Sequence, residues 1–174
     1  MLMSLKLRGL NPQAITLDGH KTVISAILEV WPNVLIQRCL YHIQRQGLSW
    51  LRVYPKTEAG RELRPIFNAV TSIENERDMN QFLRRYQHWN KTYRAFIKSL
   101  PRKSVANTDL KKAMALINHA LPDMFYYIKD RNIASTTNPL ESFYSRLKHR
   151  YRGHRGLSKQ HKKSYLKWYC YFTK

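Results

Sequence analysis

The chain has 174 residues, one domain of ordinary size, and 43% of them are hydrophobic, enough for a packed core. Its 31 Lys/Arg against 11 Asp/Glu give a net charge of +20, which must be solvated or matched by a polyanion; DNA or RNA is the default, because Lys and Arg contacts to phosphate dominate such binding. No apolar run approaches a membrane span, no apolar leader opens the chain, and two cysteines, Cys39 and Cys170, cannot form a disulfide framework, so a cytoplasmic protein without a membrane partner is expected.

Asn11-Pro12 is a breaker pair, and Ala14-Ile15-Thr16-Leu17 after it predicts a strand ending at Asp18. From Lys21 to Trp31, Val23, Ile24, Ile27, Leu28 and Trp31 share a helical stripe, closed by Pro32-Asn33. Val34 to Gln37 predicts a second buried strand. Cys39 to about Tyr54 predicts a helix with Leu40, Ile43, Gly47, Trp50, Leu51 and Tyr54 on one face. Strand, helix, strand, helix at these lengths predicts a parallel α/β unit over residues 1–56. Residues 57–134 predict an all-helical block: a short helix from Pro65 to Val70, a long one from Asn75 to Leu100, a basic linker Pro101-Arg102-Lys103-Ser104, and a helix from Asn107 to Leu121. Most of the acids lie in this block. Residues 135–174 predict a helix starting at Asn138, with Leu140, Phe143, Leu147 and Tyr151 as its buried stripe, a break at Gly153 and Gly156, and an aromatic-rich helix from Lys163 to Phe172.

Two carboxylates stand out. Asp18 sits at the C-terminal end of a presumed parallel strand, where open α/β sheets gather their sites; capping the next helix is its ordinary alternative. Glu141 opens a segment that otherwise only attracts anions: from Arg146 to Lys174 there are ten Lys/Arg and three His and no acid. A carboxylate beside such a surface suits metal-dependent chemistry on a nucleic-acid backbone, although Asn138-Pro139-Leu140-Glu141 also has capping-box spacing. Arg146, Lys148, Arg150, Arg152, Arg155, Lys159, Lys162 and Lys163 are the candidate DNA contacts, with His149, His154 and His161 as phosphate neighbours. Cys39 and His42, three apart, share a helix face. A zinc site would need a second such pair, which the chain lacks; packing at a helix start and a Cys–His nucleophile are the other readings. Trp89 is a candidate for stacking on a base, with ordinary packing as the alternative.

Leu17-Asp18-Gly19, the helix closed by Trp31-Pro32, and Gln37-Arg38-Cys39-Leu40-Tyr41-His42 together resemble the Mutator-like bacterial insertion-sequence transposases. Thr136-Thr137-Asn138-Pro139-Leu140-Glu141 is similar to their T-T-N-x-x-E segment around the catalytic Glu. Arg146-Leu147-Lys148 and Arg152 to Leu157 resemble the basic run that comes after that Glu in the family. The resemblance covers most of the chain in the same order. It implies a partial ribonuclease H-like α/β core interrupted by an all-helical insertion. It makes Asp18 the second Asp and Glu141 the Glu of an Asp-Asp-Glu triad, and Cys39 and His42 the family's C-x-x-H pair. It also implies Mg²⁺ or Mn²⁺, two ions in the complete enzyme, and metal-dependent cleavage and transfer of double-stranded DNA by a homo-oligomer in the bacterial nucleoid. Glu141 lies 123 positions after Asp18, which leaves room for the insertion. The family's first Asp has no counterpart among the residues before Asp18, so the expectation is the C-terminal portion of a transposase, inactive alone. A non-catalytic basic nucleic-acid-binding protein, with Asp18 and Glu141 as caps, is the competing reading, and a nuclease using another acid set is a weaker third.

Overall fold

The computed structural model describes residues 1–154 and 156–173 and divides them into two units, the first ending at Thr137 and the second starting at Asn138. The first unit opens with a short helix that the sequence pattern does not show, α1 (Leu2–Leu7). It continues with β1 (Ala14–Leu17), α2 (Lys21–Val30), β2 (Leu35–Arg38) and α3 (Leu40–Leu51). The strands pair in parallel, Ala14 opposite Leu35 and Leu17 opposite Arg38. The strand–helix–strand–helix reading is thus met by a two-stranded parallel sheet, within a chain that is otherwise mostly helical.

The sheet carries its own small core of Leu17, Ile27, Val30, Trp31, Val34 and Ile36, with Leu2 and Leu5 of α1 packed against it. The stripe expected on α2 is rotated: Val23 and Leu28 are exposed, while Ile27 and Val30 are buried. Leu2 and Leu5 of α1 pack against the same core as Ile27 and Val30, and Lys6 Nζ donates to the Val30 carbonyl at 2.6 Å. Trp31 is anchored by Nε1 donating to the Leu10 carbonyl at 3.1 Å.

From α4 (Glu58–Asn68) through α5 (Glu76–Ser99), α6 (Val105–Ala120) and α7 (Tyr126–Lys129) the first unit is helical, with short 3₁₀ turns at Val70–Ser72 and Leu121–Asp123. Side-chain caps set the starts of the first three. Thr57 accepts from the Gly60 amide, Asn75 from that of Asp78 and Ser104 from that of Asn107. The Thr57 cap starts α4 well before the expected Pro65. Pro65 lies inside the helix and forgoes one amide donor, while the buried stripe Ala59, Leu63, Ile66 and Phe67 holds the helix in place. These helices and α3 share the main core. Gly47 of α3 lets Phe67 of α4 approach so closely that any β-carbon there would fall on the ring. Tyr54, expected on the α3 face, lies beyond the helix and is exposed. Trp89, the candidate stacking residue, is 2% exposed and donates through Nε1 to the Ala59 carbonyl at 2.8 Å, so packing is its role.

Gln37 ties the sheet to the helical core. Fully buried near the end of β2, it donates through Nε2 to the Met124 carbonyl at 2.8 Å and accepts at Oε1 from the Tyr127 amide at 3.3 Å.

The second unit holds α8 (Asn138–Arg152) and α9 (Lys159–Phe172). The Ser158 hydroxyl caps α9 by accepting from the His161 amide, so this helix starts before the expected Lys163. An aromatic seam joins the two helices: Phe143 lies edge-on to Tyr169 at 5.6 Å, and Tyr151 faces Tyr165 at 6.1 Å. Of the stripe expected on α8, Leu147 is buried, Phe143 and Tyr151 are half-buried, and Leu140 is exposed. A two-helix unit buries less of each helix than a sheet-backed one does.

Candidate functional site

The apolar run of β1 ends at Leu17, and Asp18 is the first residue past it, at the C-terminal end of the strand. Its side chain is exposed. Oδ1 accepts the His20 amide at 3.1 Å, which turns the chain from β1 toward α2. The N-cap of α2 is His20, so capping by Asp18 is not observed. Gly19, at φ +89°, completes the turn.

Beside this turn sits a residue that sequence reasoning missed. Arg38 closes β2 opposite Leu17 and is 8% exposed. One terminal nitrogen donates to the Asp18 carbonyl at 3.3 Å, while Nε is buried with no hydrogen-bond partner among the described residues. Burial lowers the pKa of the guanidinium, against the opposing pull of Asp123, Asp18 and Cys39. Burial in turn raises the carboxyl of Asp123, and Arg38 offsets part of that rise. Gly19 makes room for this arginine, because a β-carbon there would coincide with the guanidinium. An arginine closing a short strand that opens on Leu35-Ile36 is the signal that could have revealed it.

The next residue, Cys39, is completely buried and caps α3. The structure brings Cys39 and His42 together as their spacing implies, with Sγ 3.2 Å from His42 Nδ1. It also brings in Thr137: its amide donates to Sγ at 3.3 Å, and its hydroxyl lies 3.4 Å from the sulfur. Two neighbouring bonds dock the same segment. Thr16 Oγ1 donates to the Ala134 carbonyl at 2.6 Å, and the Leu40 amide donates to the Ser135 carbonyl at 3.0 Å. Among the described residues, no group of three or more His, Cys, Asp or Glu is placed to hold a metal ion.

Glu141 lies in the first turn of α8, in the second unit, and is exposed. Asp18 and Glu141 thus belong to different units. Of the candidate DNA contacts, Arg146, Lys148, Arg150 and Arg152 are exposed along α8, Lys159 and Lys163 are exposed on α9, and Lys162 is half-buried. Arg155 lies outside the described residues. Arg146 donates to the Ser142 hydroxyl at 2.7 Å, and the Arg150 guanidinium sits 5.9 Å from the Tyr169 ring centre. Glu141 is the single acid of residues 138–174, so the surface of this unit is strongly positive.

The family model described as "Transposase, Mutator family" matches residues 1–162, which include Asp18, the Cys39–His42 pair and Glu141. The chain belongs to the Mutator transposase family. It is 26% identical over 162 residues to a probable transposase for insertion sequence element ISRM3-like of Sinorhizobium fredii, covering 88% of this chain and 36% of that protein. It is 27% identical over 157 residues to the transposase for insertion sequence element ISRM3 of Rhizobium meliloti, with the same coverage of each. A transposase for insertion sequence element IS1201 of Lactobacillus helveticus is 28% identical over 101 residues, 58% of this chain and 27% of that protein. The chain therefore spans about a third of the length of the first two relatives. No solved structure gives a significant match. No helix among the described residues is long and apolar enough to cross a membrane.

Proposed function

We propose that this chain is the part of a DDE-type transposase that supplies the second Asp, Asp18, and the Glu, Glu141, of a ribonuclease H-like core interrupted by a helical insertion. The observation that carries this reading is the exposed Asp18 carboxylate at the C-terminal end of a parallel strand. Its docked neighbour, residues 134–137, leads straight into the Glu141 segment. Sites in open α/β sheets form at such strand ends. Membership of the Mutator family supports the assignment of both residues.

Asp18 and Glu141 offer the hard oxygen ligands that Mg²⁺ or Mn²⁺ takes. Two acids do not complete a site, and the described residues offer no group of three donors. The chain by itself is therefore expected to be inactive. Its basic residues serve the DNA. Arg146, Lys148, Arg150, Arg152, Lys159, Lys162 and Lys163 neutralise phosphates of the double-stranded element ends and target. The complete transposase would act on that DNA as a homo-oligomer in the nucleoid.

The test places Asp18→Asn and Glu141→Gln, one at a time, in the complete transposase and measures strand transfer on its element ends with Mg²⁺ or Mn²⁺. Each is expected to abolish transfer while leaving DNA affinity unchanged. Glu141→Gln should also hold stability within about 1 kcal/mol, since Gln serves the third helical position as well as Glu does. Full transfer by both variants would overturn the catalytic assignment and leave a basic nucleic-acid-binding protein.

A further inference from the structure

We propose that the Cys39–His42 pair is a metal-free clasp, in which the Cys39 sulfur anchors Thr137 to the ends of the two strands and so fixes the point where the chain enters the Glu141 helix. The inference does not depend on the catalytic reading of Asp18 and Glu141.

The spacing of the pair invites two other readings, and the surroundings of the sulfur argue against both. A zinc ion bound by Cys39 and His42 needs two more ligands. Among the described residues no third His, Cys, Asp or Glu joins the pair. A nucleophilic cysteine needs access to its substrate, yet Cys39 is 0% exposed. What surrounds the sulfur instead is hydrogen-bonding partners: the Thr137 amide at 3.3 Å, the Thr137 hydroxyl at 3.4 Å and His42 Nδ1 at 3.2 Å. Sulfur is a weak acceptor with a long reach, so it can serve several donors around one centre that a smaller atom would crowd. The backbone of Cys39 takes part as well: its amide donates to the Leu17 carbonyl at 2.8 Å, the last rung of the sheet.

Three tethers within four residues distinguish a clasp from incidental packing. Ala134 is held by Thr16 of β1, Ser135 by the Leu40 amide at the start of α3, and Thr137 by the Cys39 sulfur. The Ser135 tether joins two backbone groups that any sequence could supply. The other two depend on side chains, the Thr16 hydroxyl at Ala134 and the Cys39 sulfur at Thr137. His42, one helical turn on, places Nδ1 3.2 Å from the sulfur on the side of α3. Cys39 and His42 are positioning residues in this scheme; neither touches a reacting atom.

The test uses the whole chain and needs no activity. Amide exchange of Thr137 is followed by NMR in the wild type and in Cys39→Ala, Cys39→Ser and Thr137→Val, and the metal content of each purified protein is measured. The residue-137 amide is expected to be protected in the wild type and in Thr137→Val, which keeps the N–H. It should exchange about fivefold or more faster in Cys39→Ala and be partly restored in Cys39→Ser, which keeps an acceptor. Amides in α5 and α6 should be unchanged in all four, and the ¹⁵N shift of His42 Nδ1 should move in Cys39→Ala. Chelator treatment should change none of these readouts. Equal exchange at Thr137 in the wild type and Cys39→Ala would overturn the clasp. So would one equivalent of zinc that is lost with Cys39. If Cys39→Ala fails to fold, two readouts still decide: an unprotected Thr137 amide in the wild type, or exchange in Cys39→Ser no faster than in the wild type, refutes the proposal.

Discussion

Replacing Gly19 with alanine should displace Arg38 from beside Asp18, and the cost can be worked from two separate terms. Gly19 has φ +89°, where a β-carbon costs about 1–2 kcal/mol. That β-carbon would also coincide with the guanidinium of Arg38, and forcing a buried side chain aside costs about 1–3 kcal/mol. The displaced guanidinium gives up its bond to the Asp18 carbonyl as well. Gly19→Ala should therefore lower stability by about 2–5 kcal/mol in urea unfolding. In an Arg38→Ala background the collision is gone and only the backbone term of about 1–2 kcal/mol remains. The double-mutant cycle should show a coupling of at least about 1 kcal/mol. Gly19→Asn separates the two terms, because Asn tolerates positive φ but still carries a β-carbon. It should stay costly with Arg38 present and become nearly neutral without it. Costs for Gly19→Ala and Arg38→Ala that add within about 0.5 kcal/mol would refute the fit between Gly19 and Arg38.

Binding of the chain to duplex DNA should be independent of sequence and steeply dependent on salt. For about six phosphate contacts, log affinity should fall against log salt with a slope near about −5, and replacing Arg146, Lys148, Arg150 and Arg152 together should flatten it; a slope near zero for the wild type would refute the role of the basic helices. Alkali should destabilise the helical core. Burial raises the phenols of Tyr86 and Tyr127 from 10.0 to about 12, so between those values the unfolded chain has released protons that the folded chain still holds, and stability falls as pH rises through that window. Tyr86→Phe, which removes the donor to Asn118 Oδ1, should show a shallower decline there in urea unfolding; an identical pH profile would refute it.

The sequence by itself determined the parallel strand–helix–strand–helix unit, the helical run after it, and the family. Each of these rests on local chemistry: β-branched runs bounded by breakers, helical periodicity, and short motifs such as Cys39-Leu40-Tyr41-His42 and Thr136-Thr137-Asn138. It also placed Asp18 at a strand end, because the end of an apolar run is visible in one dimension. Four features were decided only by tertiary structure. Which flank of α2 is buried depends on α1, whose packing leaves no periodic signal in so short a helix. That α4 runs through Pro65 depends on the burial of Ala59, Leu63, Ile66 and Phe67 in the main core. The burial of Trp89 depends on Ala59, far away in the chain. The surroundings of Asp18 and Cys39 depend on Arg38, Asp123 and Thr137, which converge from distant parts of the chain. Hydrogen bonds and charges act over a few ångströms in space whatever the separation in sequence. A motif can therefore single out Cys39 and His42, while the packed chain alone shows that the Cys39 sulfur lies beside both His42 and Thr137.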